Sequence, residues 1–408
     1  MILRGFEQKM IKAIGMQIAV ILMNILYVGL LPLKLKEKVT IISRQSDTAS
    51  IDVRLLQKEL AARQIDTVVL TKRLHKNLYS GIKYGFHMLR QMYHIATSKV
   101  VVLDGYCILV SVLHKKRQQS VIQMWHALGA IKKFGYQTVG KPGGNRKAVA
   151  KVMQLHNNYD YVLASSEETG KIYQEAFGVD AEKIRYMGLP RIDYLKKEDP
   201  GKTEAIYQKY PQLRDRINVL YAPTFRKNTE FNLSAVIDAF DFTKYNLIIK
   251  KHWLDKENYK GFQSEHVIVD RKFNSMDWLK LCDKVITDYS AITFEAALLQ
   301  REVYLYLPDI YEYKKDIGLN MDYSLETIGT YACVDAENLC RELSLPYEKQ
   351  RIAEFQKKYL AASTENCAAR LADFTRELLT DEEREYSGCD ESAGELNTLS
   401  AALRKTIL

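Results

Sequence analysis

A histidine stands directly after a predicted strand in the first half of the chain. The apolar run Val121–Trp125 predicts the strand, and His126 follows it. Because an imidazole titrates near neutral pH, a histidine at this position suits general-base work on a hydroxyl group. Lys132 and Lys133 come shortly after it and would give an anionic acceptor a basic site. The alternative is a structural histidine bonded to the backbone, and His126 alone does not decide between the two.

Three strand ends in the second half carry groups suited to phosphate. Arg226 follows a predicted strand that ends at Tyr221, and its guanidinium can bind a phosphate through two N–H groups. His252 follows another predicted strand and can donate to a phosphoryl oxygen. Ser290 ends the turn after Lys284–Thr287, where a helix start offers unpaired N–H groups. The simpler explanation for Arg226 is a surface ion pair, and that for Ser290 is a helix cap. Three strand ends with phosphate-binding groups nevertheless favour a phosphate site more than any one of them does.

Several other kinds of site are excluded by the pattern. The segment Asp283–Pro308 lacks a glycine-rich fingerprint, so it is neither a P-loop nor a usual dinucleotide fold. No carboxylate cluster resembles a two-metal site. The cysteines show no metal-ligand spacing and are expected to be reduced thiols of a cytosolic protein. They are Cys107, Cys282, Cys333, Cys340, Cys367 and Cys389.

Short β-branched runs alternate with helical patterns from Lys38 onward, in two series separated by the stretch Leu195–Pro211. The first series predicts strands at Val39–Ser43, Thr67–Leu70, Val100–Leu103, Val121–Trp125, Tyr161–Ala164 and Ile184–Met187. The second predicts them at Val219–Tyr221, Asn246–Ile249, Val267–Val269, Val285–Thr287, Val303–Leu307 and Tyr331–Val334. Two such series predict an α/β protein with two doubly wound Rossmann-like domains and a cleft between them. Ligands bind at the carboxyl ends of strands in these sheets, so the polar strand ends would face the cleft.

Charge is unevenly distributed along the chain. Residues 1–150 hold 24 Lys and Arg against 7 Asp and Glu, a net charge of +17, whereas residues 151–408 carry a net charge of −8. No acidic residue lies between Asp104 and Asp160. A half this basic indicates an anionic partner, and a membrane surface, a phosphorylated lipid or a nucleic acid fits that description.

The apolar segment Ala13–Leu33 is long enough to span a bilayer. Gln17, Asn24 and Pro32 weaken that interpretation, and lysines on both sides give no orientation. A helix lying in the membrane interface fits the same residues and the basic charge around them. A buried helix packed on the first sheet is the third alternative. We expect the interfacial helix.

Four segments together resemble the CDP-glycerol glycerophosphotransferases of wall teichoic acid synthesis. They are WHALGAIKKFGY (Trp125–Tyr136), YAPTFR (Tyr221–Arg226), KKH (Lys250–His252) and TDYSAITFE (Thr287–Glu295). Their order and spacing are similar to that family from about Lys38 to about Leu379. The resemblance implies a GT-B architecture, in which the C-terminal Rossmann-like domain holds the nucleotide and the N-terminal domain approaches a membrane-bound acceptor.

The resemblance also implies roles for individual residues. His126 matches the histidine proposed as base on the acceptor hydroxyl, and His252 matches a histidine near the donor diphosphate. The donor-binding positions would be Arg226, Thr287, Asp288, Tyr289 and Ser290. Lys132 and Lys133 are expected to meet the acceptor or the membrane. The chain departs from the family pattern at Ala127, Phe225, Trp253 and Ala291. These departures leave the identity of the polyol open.

The predicted function is transfer of glycerol phosphate, or another polyol phosphate, from a CDP-polyol to the hydroxyl of a lipid-linked acceptor, with release of CMP. The implied partners are CDP-glycerol or CDP-ribitol, an undecaprenyl-diphosphate-linked acceptor and an anionic membrane surface, without nucleic acid. No cofactor and no protein-bound metal are expected, because positioning and fixed donors are the usual route for phosphoryl transfer. The enzyme would be peripheral, at the cytoplasmic face of the membrane of a Gram-positive bacterium.

Two other functions share parts of this pattern. A GT-B glycosyltransferase would have the same fold but transfer a sugar, and a non-catalytic basic protein that binds membranes or nucleic acid would explain the charge alone. The expected domains are a membrane-associated helix at residues 1–36, an acceptor domain at 37–205, a CDP-polyol-binding domain at 206–380 and a polar tail at 381–408.

Overall fold

In a computed structural model of the chain, residues 2–75, 77–224, 233–250, 264–321 and 332–380 are described. They form two parallel β-sheets, each covered by helices. The buried strands are nearly continuous apolar runs, which is typical of parallel sheets that are covered on both faces.

The first sheet contains six strands in the order β2-β1-β3-β4-β5-β6. They are β1 (Lys36–Ser43), β2 (Asp66–Thr71), β3 (Ser98–Leu103), β4 (Ser120–Gln123), β5 (Tyr161–Ala164) and β6 (Ile184–Tyr186). The second sheet contains five strands in the order β11-β10-β7-β8-β9. They are β7 (Ile217–Tyr221), β8 (Tyr245–Ile249), β9 (Val267–Val269), β10 (Lys284–Thr287) and β11 (Glu302–Leu305).

Helices connect the strands and cover the sheets. Those of the first half are α1 (Ile2–Val28), α2 (Ile51–Ala62), α3 (Leu78–Thr97), α4 (Ile108–Val112), α5 (Lys147–Val152), α6 (Glu167–Phe177), α7 (Arg191–Lys196) and α8 (Pro200–Lys209). The others are α9 (Leu233–Ala239), α10 (Ser275–Leu281), α11 (Ile292–Leu298), α12 (Ile310–Asp316), α13 (Ala336–Leu343), α14 (Lys349–Tyr359) and α15 (Cys367–Thr380). Local signals set their ends: Ser166 caps α6 by accepting from the Thr169 N–H, and Gly178 ends it at φ +64°.

The strand predicted at Tyr331–Val334 is not a strand in the described part of that segment. Cys333 makes an isolated parallel bridge with Tyr306, and Tyr331 lies outside the described residues. The β-branched and aromatic run therefore adds a single bridge beside β11 rather than a further full strand. The polar tail predicted at 381–408 also lies outside the described residues.

Each sheet has a point at which the strand order reverses. The reversal lies between β1 and β3 in the first sheet and between β7 and β10 in the second. Such points open a crevice beyond the carboxyl ends of the two strands, and ligands bind there in open α/β sheets. The fold therefore directs attention to the residues after β1, β3, β7 and β10.

Helix α1 is only partly covered by the rest of the protein. Tyr27 is buried, and the Asn24 side-chain amide donates to the carbonyl oxygen of Val112 in α4 at 3.1 Å. Its other side leaves a stripe of apolar residues about half exposed, namely Ile14, Ile18, Leu22 and Ile25. None of the helices in the described residues is long and apolar enough to cross a membrane.

The last described helix, α15, packs against the first half. Arg63 after α2 donates to the Asp373 carboxylate at 2.8 Å, and the buried residues Leu371 and Ala372 lie on the same helix. Helix α15 also contacts β1 and β3. The domain boundary predicted after residue 205 stays a prediction, but this helix lies with the first sheet.

Candidate active site

A kink in the backbone directs His126 toward the crevice of the first sheet. Strand β4 ends at Gln123, and Trp125 then adopts φ +65°, which is unusual for a bulky residue. The Gln123 side chain supports this turn, because its oxygen accepts from the Trp125 N–H at 2.9 Å and its amide donates to the Gly105 carbonyl at 3.1 Å. The strained residue thus immediately precedes the candidate base.

The surroundings of His126 define its protonation state. Its Nδ1 lies 2.8 Å from the carbonyl oxygen of Asp104, an acceptor only, and 3.2 Å from the side-chain amide nitrogen of Gln45. The shorter contact favours the tautomer in which Nδ1 carries the proton and Nε2 keeps its lone pair. Burial lowers the pKa of His126 to about 4, and the positive charge of Arg191 acts in the same direction. At neutral pH His126 is therefore an uncharged imidazole that can accept a proton.

Two residues of the predicted donor-binding turn hold the second crevice together instead of lining it. Asp288 is buried, and both of its carboxylate oxygens lie 2.9 Å from the backbone N–H of Thr224. Thr287 is also buried and donates its hydroxyl to the Ala222 carbonyl at 2.9 Å. These bonds join the ends of β7 and β10, so the two residues act on the site through the backbone.

The other two residues of the turn lie in different environments. Tyr289 is fully buried, stacks on Tyr313 at 3.9 Å between ring centroids, and donates its hydroxyl to Asp309 at 3.2 Å. Ser290 lines the interdomain cleft. Ala291 occupies the N-cap position of α11 without a side-chain cap, and the Ser290 hydroxyl oxygen accepts from the Ile292 N–H at 3.5 Å, so Ser290 both lines the cleft and supports the helix start.

A cleft of about 810 Å³ lies between the two halves, next to Ser290. Arg191 lines it from α7, and Lys250, Arg271 and Glu295 line it from the second half. Burial lowers the pKa of Lys250, whose ammonium group donates to the Phe273 carbonyl. Three cations and a hydroxyl around one cleft suit a ligand with several phosphate oxygens.

Arg191 joins the halves through two buried carboxylates. It donates to Asp52 of α2 at 2.6 Å and to Glu295 of α11 at 2.7 Å, and its backbone N–H also binds Asp52 at 2.7 Å. Burial opposes its charge, but the two carboxylates together raise its pKa above the usual range. Its charge also acts on the imidazole of His126, so the base, the ion cluster and the cleft are neighbours.

Lys132 and Lys133 lie where the first half meets the second. The Lys132 ammonium group is 3.4 Å from the hydroxyl of Thr224, and the backbone N–H of Lys133 donates to the Gly318 carbonyl at 3.0 Å. The Asn320 N–H donates in turn to the carbonyl of Ile131 at 2.7 Å. The two lysines therefore belong to the seam beside the cleft and do not form a separate outer patch.

Sequence reasoning found some of this site and missed the rest. It placed His126 and Ser290 shortly after strands, as the structure does, whereas Arg226 and His252 lie outside the described residues. Lys250 belonged to a quoted motif but was not itself a candidate. It did not find Arg191 or its partner Asp52, which are 139 positions apart. Within the described residues, no group of three or more His, Cys, Asp or Glu side chains is placed to hold a metal. The five described cysteines are free.

The chain is similar in sequence to a characterised family and to several known proteins. Residues 25–376 match the sequence profile of the family described as CDP-Glycerol:Poly(glycerophosphate) glycerophosphotransferase. The chain is 30% identical over 366 residues to the teichoic acid ribitol-phosphate primase of Bacillus spizizenii, which covers 86% of this chain and 94% of that protein. It is 31% identical over 313 residues to the teichoic acid glycerol-phosphate primase of Bacillus subtilis, covering 73% of this chain and 78% of that protein.

Solved structures confirm the predicted fold class. A structure of the wall teichoic acid polymerase TagF superposes with a TM-score of 0.70 at 17% identity, over 92% of this chain and 98% of that chain. The UDP-GlcNAc 2-epimerase of Methanocaldococcus jannaschii superposes with a TM-score of 0.53 at 14% identity, over 83% of this chain and 99% of that chain. Both comparisons support a GT-B-like arrangement of two Rossmann-like units.

Removal of the Arg191 guanidinium should strongly destabilise the protein. In Arg191→Met, the buried carboxylates of Asp52 and Glu295 lose their shared cation, which we expect to cost about 3–5 kcal/mol in the free energy of unfolding. Urea denaturation followed by tryptophan fluorescence measures the change. Arg214→Met is the matched control, since its pair with Glu204 is about half exposed and should contribute under about 1 kcal/mol. Equal losses in the two variants would contradict a buried cluster.

Proposed function

Because this chain belongs to the CDP-glycerol:poly(glycerophosphate) glycerophosphotransferase family, we propose that it transfers a polyol phosphate from a CDP-polyol to the hydroxyl of a lipid-linked acceptor. The observation that carries the proposal is the cleft itself. Ser290, Lys250, Arg191 and Arg271 surround it, and a neutral histidine lies near the Arg191 cluster. Cations for a diphosphate and a base for a hydroxyl are the two components that this reaction needs.

The proposed chemistry is a single displacement at phosphorus. The acceptor oxygen attacks the β-phosphorus of the CDP-polyol, its proton moves to Nε2 of His126, and the bond from that phosphorus to the bridging oxygen breaks so that CMP leaves. Ser290 and the cleft cations would stabilise the charge on the transferring group. Arg226 and His252 are proposed as further donor contacts on the resemblance alone.

The buried residues of the turn have a positioning role in this proposal. Asp288 and Thr287 hold the backbone after β7 and β10, and Tyr289 anchors the turn on Tyr313. Together they present Ser290 to the cleft. Lys132 is proposed to meet the acceptor next to the donor, because its ammonium group already contacts the second half.

We also propose that the protein works at a membrane surface as a peripheral enzyme. The exposed apolar stripe of α1 is matched by α3, where Tyr79, Ile82 and Phe86 are more than half exposed. Both helices contact α4, so the two stripes flank one short element of the first half. Apolar stripes on a strongly basic half are the combination that favours a helix at an anionic interface. The cytoplasmic face remains a proposal that follows from the use of a CDP-linked donor.

The reaction is tested by CMP release from CDP-glycerol and from CDP-ribitol, each with a lipid-diphosphate-linked acceptor. We expect acceptor-dependent CMP from one of the two donors, which also names the polyol, and the same rate with EDTA if no metal takes part. Release of a nucleoside diphosphate from a nucleotide sugar would instead indicate a glycosyltransferase. No release from either CDP-polyol by the folded, vesicle-bound protein would exclude both polyols.

Loss of the imidazole of His126 should abolish turnover without abolishing donor binding. General-base catalysis contributes roughly 10²- to 10⁴-fold, so His126→Ala should lose that factor in kcat while its affinity for CDP stays within about two-fold. The control is His75→Ala, which removes an exposed histidine that pairs with Asp47 at the surface. Near-normal turnover of His126→Ala would remove His126 from the role of base.

The low pKa of His126 predicts an activity that resists acid. Because the base works in its deprotonated form and burial lowers its pKa to about 4, kcat/KM should stay level as pH falls through 6.5 and decline only near pH 4. The buried carboxyl of Asp104, whose pKa burial raises to about 6, titrates nearby, so the profile is also measured in Asp104→Asn. A decline centred near pH 6.5 that persists in that variant would contradict the prediction.

A further inference from the structure

A second cavity, with a volume of about 620 Å³, lies within the first half and shares no lining residue with the interdomain cleft. Helix α5, the loop that follows it and the segment after α6 form its walls. The chemically informative residues are Lys147, Lys151, Gln154, His156, Asn158 and Lys183. The proposed transfer reaction uses none of them.

The charge of this cavity is entirely positive. None of the described residues that line it is Asp or Glu, and Lys147, Lys151 and Lys183 form no ion pair with any residue that the structure describes. Lys147 and Lys151 are four positions apart on α5, where like charges repel each other. His156 adds no charge, since burial lowers its pKa to about 3. An anion would relieve the repulsion between the lysines.

The backbone of the loop after α5 alternates between left-handed and ordinary conformations, a pattern that anion-binding concavities share. Gln154, His156 and Asn158 adopt φ values of +42°, +59° and +69°, whereas the residues between them keep negative φ. Alternation of this kind turns successive N–H groups toward a common point, as in phosphate-binding loops. The N–H groups of His156 and Asn158 have no hydrogen-bond partner among the described residues. The two residues whose N–H groups are unbonded and the three lysines thus line the same cavity.

The cavity adjoins the elements that expose apolar stripes. The Asn158 side-chain amide donates to the carbonyl oxygens of Val110 and Leu113 at 2.8 and 3.0 Å, which ties the loop to α4 and to the residue after it. Helices α1 and α3 both contact α4, and α1 also contacts α5. The cavity is therefore connected through α4 and α5 to the two helices that leave apolar residues uncovered.

We propose that this cavity binds a phosphate group, carried either by a lipid head group at the membrane surface or by a water-soluble phosphate ester. The lysines supply charge, the loop supplies backbone donors, and the neighbouring apolar stripes bring the cavity to the lipid interface. The site is separate from the transfer reaction and does not depend on it. It would hold the first half against a phosphate-bearing surface.

The test measures binding rather than turnover. Calorimetric titration with inorganic pyrophosphate should show at least about ten-fold weaker binding at one site in Lys147→Gln/Lys151→Gln, because two charged donors are lost. The matched control is Arg54→Gln/Lys58→Gln, which removes the same charge from exposed positions on α2 and should leave that site intact. Lys250→Gln, in the interdomain cleft, should also leave it intact.

A second arm identifies the source of the phosphate. Flotation uses vesicles of phosphatidylcholine alone and of phosphatidylcholine mixed with phosphatidic acid. If the double substitution Lys147→Gln/Lys151→Gln weakens both pyrophosphate binding and attachment to the acidic vesicles, relative to the control substitutions on α2, the ligand is a lipid head group. If only pyrophosphate binding weakens, the ligand is water-soluble. Equal pyrophosphate affinity in both double variants would overturn the site, even if vesicle binding fell with the net charge.

Discussion

The guanidinium of Arg191 couples the two halves of this protein. It lies between Asp52 of the first half and Glu295 of the second, with little access to water, and its charge also acts on His126. Burying a charged side chain costs free energy unless it has an oppositely charged partner. Arg191, Asp52 and Glu295 therefore hold one another in position. Because Arg191 and Glu295 also line the cleft, the contact that joins the halves is part of the proposed donor site. The ion cluster and the contacts of Lys132 and Lys133 with the second half together set the placement of His126 relative to the cleft.

The elements of the fold were largely predictable because their signals are local. Strand β10 spans Lys284–Thr287 and contains the predicted Val285–Thr287, since a strand buried on both faces is an uninterrupted apolar run with a turn at each end. Helix α11 follows as the helix start expected after Ser290, and it spans Ile292–Leu298 between its caps Ala291 and Leu299. Some runs differed from the prediction. The run that ends at Val334 forms a single bridge, since strand propensity does not guarantee a partner of matching length, and the run Val121–Trp125 forms a strand only as far as Gln123.

The site was predictable only in part, because its most important contact is not local. The charged partners Arg191, Asp52 and Glu295 are separated by 139 and 104 positions, and nothing in a single sequence pairs them. Motif resemblance also could not separate a residue that lines the cleft from one that supports it. Ser290 and Tyr289 are adjacent in the same turn, yet one faces the cleft and the other is fully buried.

The return of α15 to the first half has a consequence for how the protein is made. Its buried residues cover α2 and the neighbouring strands, and Arg63 forms its ion pair with Asp373 of α15. That pair can form only after residue 373 has been synthesised. During synthesis the first sheet emerges from the ribosome long before residue 367, and at about 5–20 residues per second the interval is roughly ten seconds or more. The first half therefore cannot mature independently of the second. The surface that α15 covers must stay exposed until residues 367–380 have been synthesised.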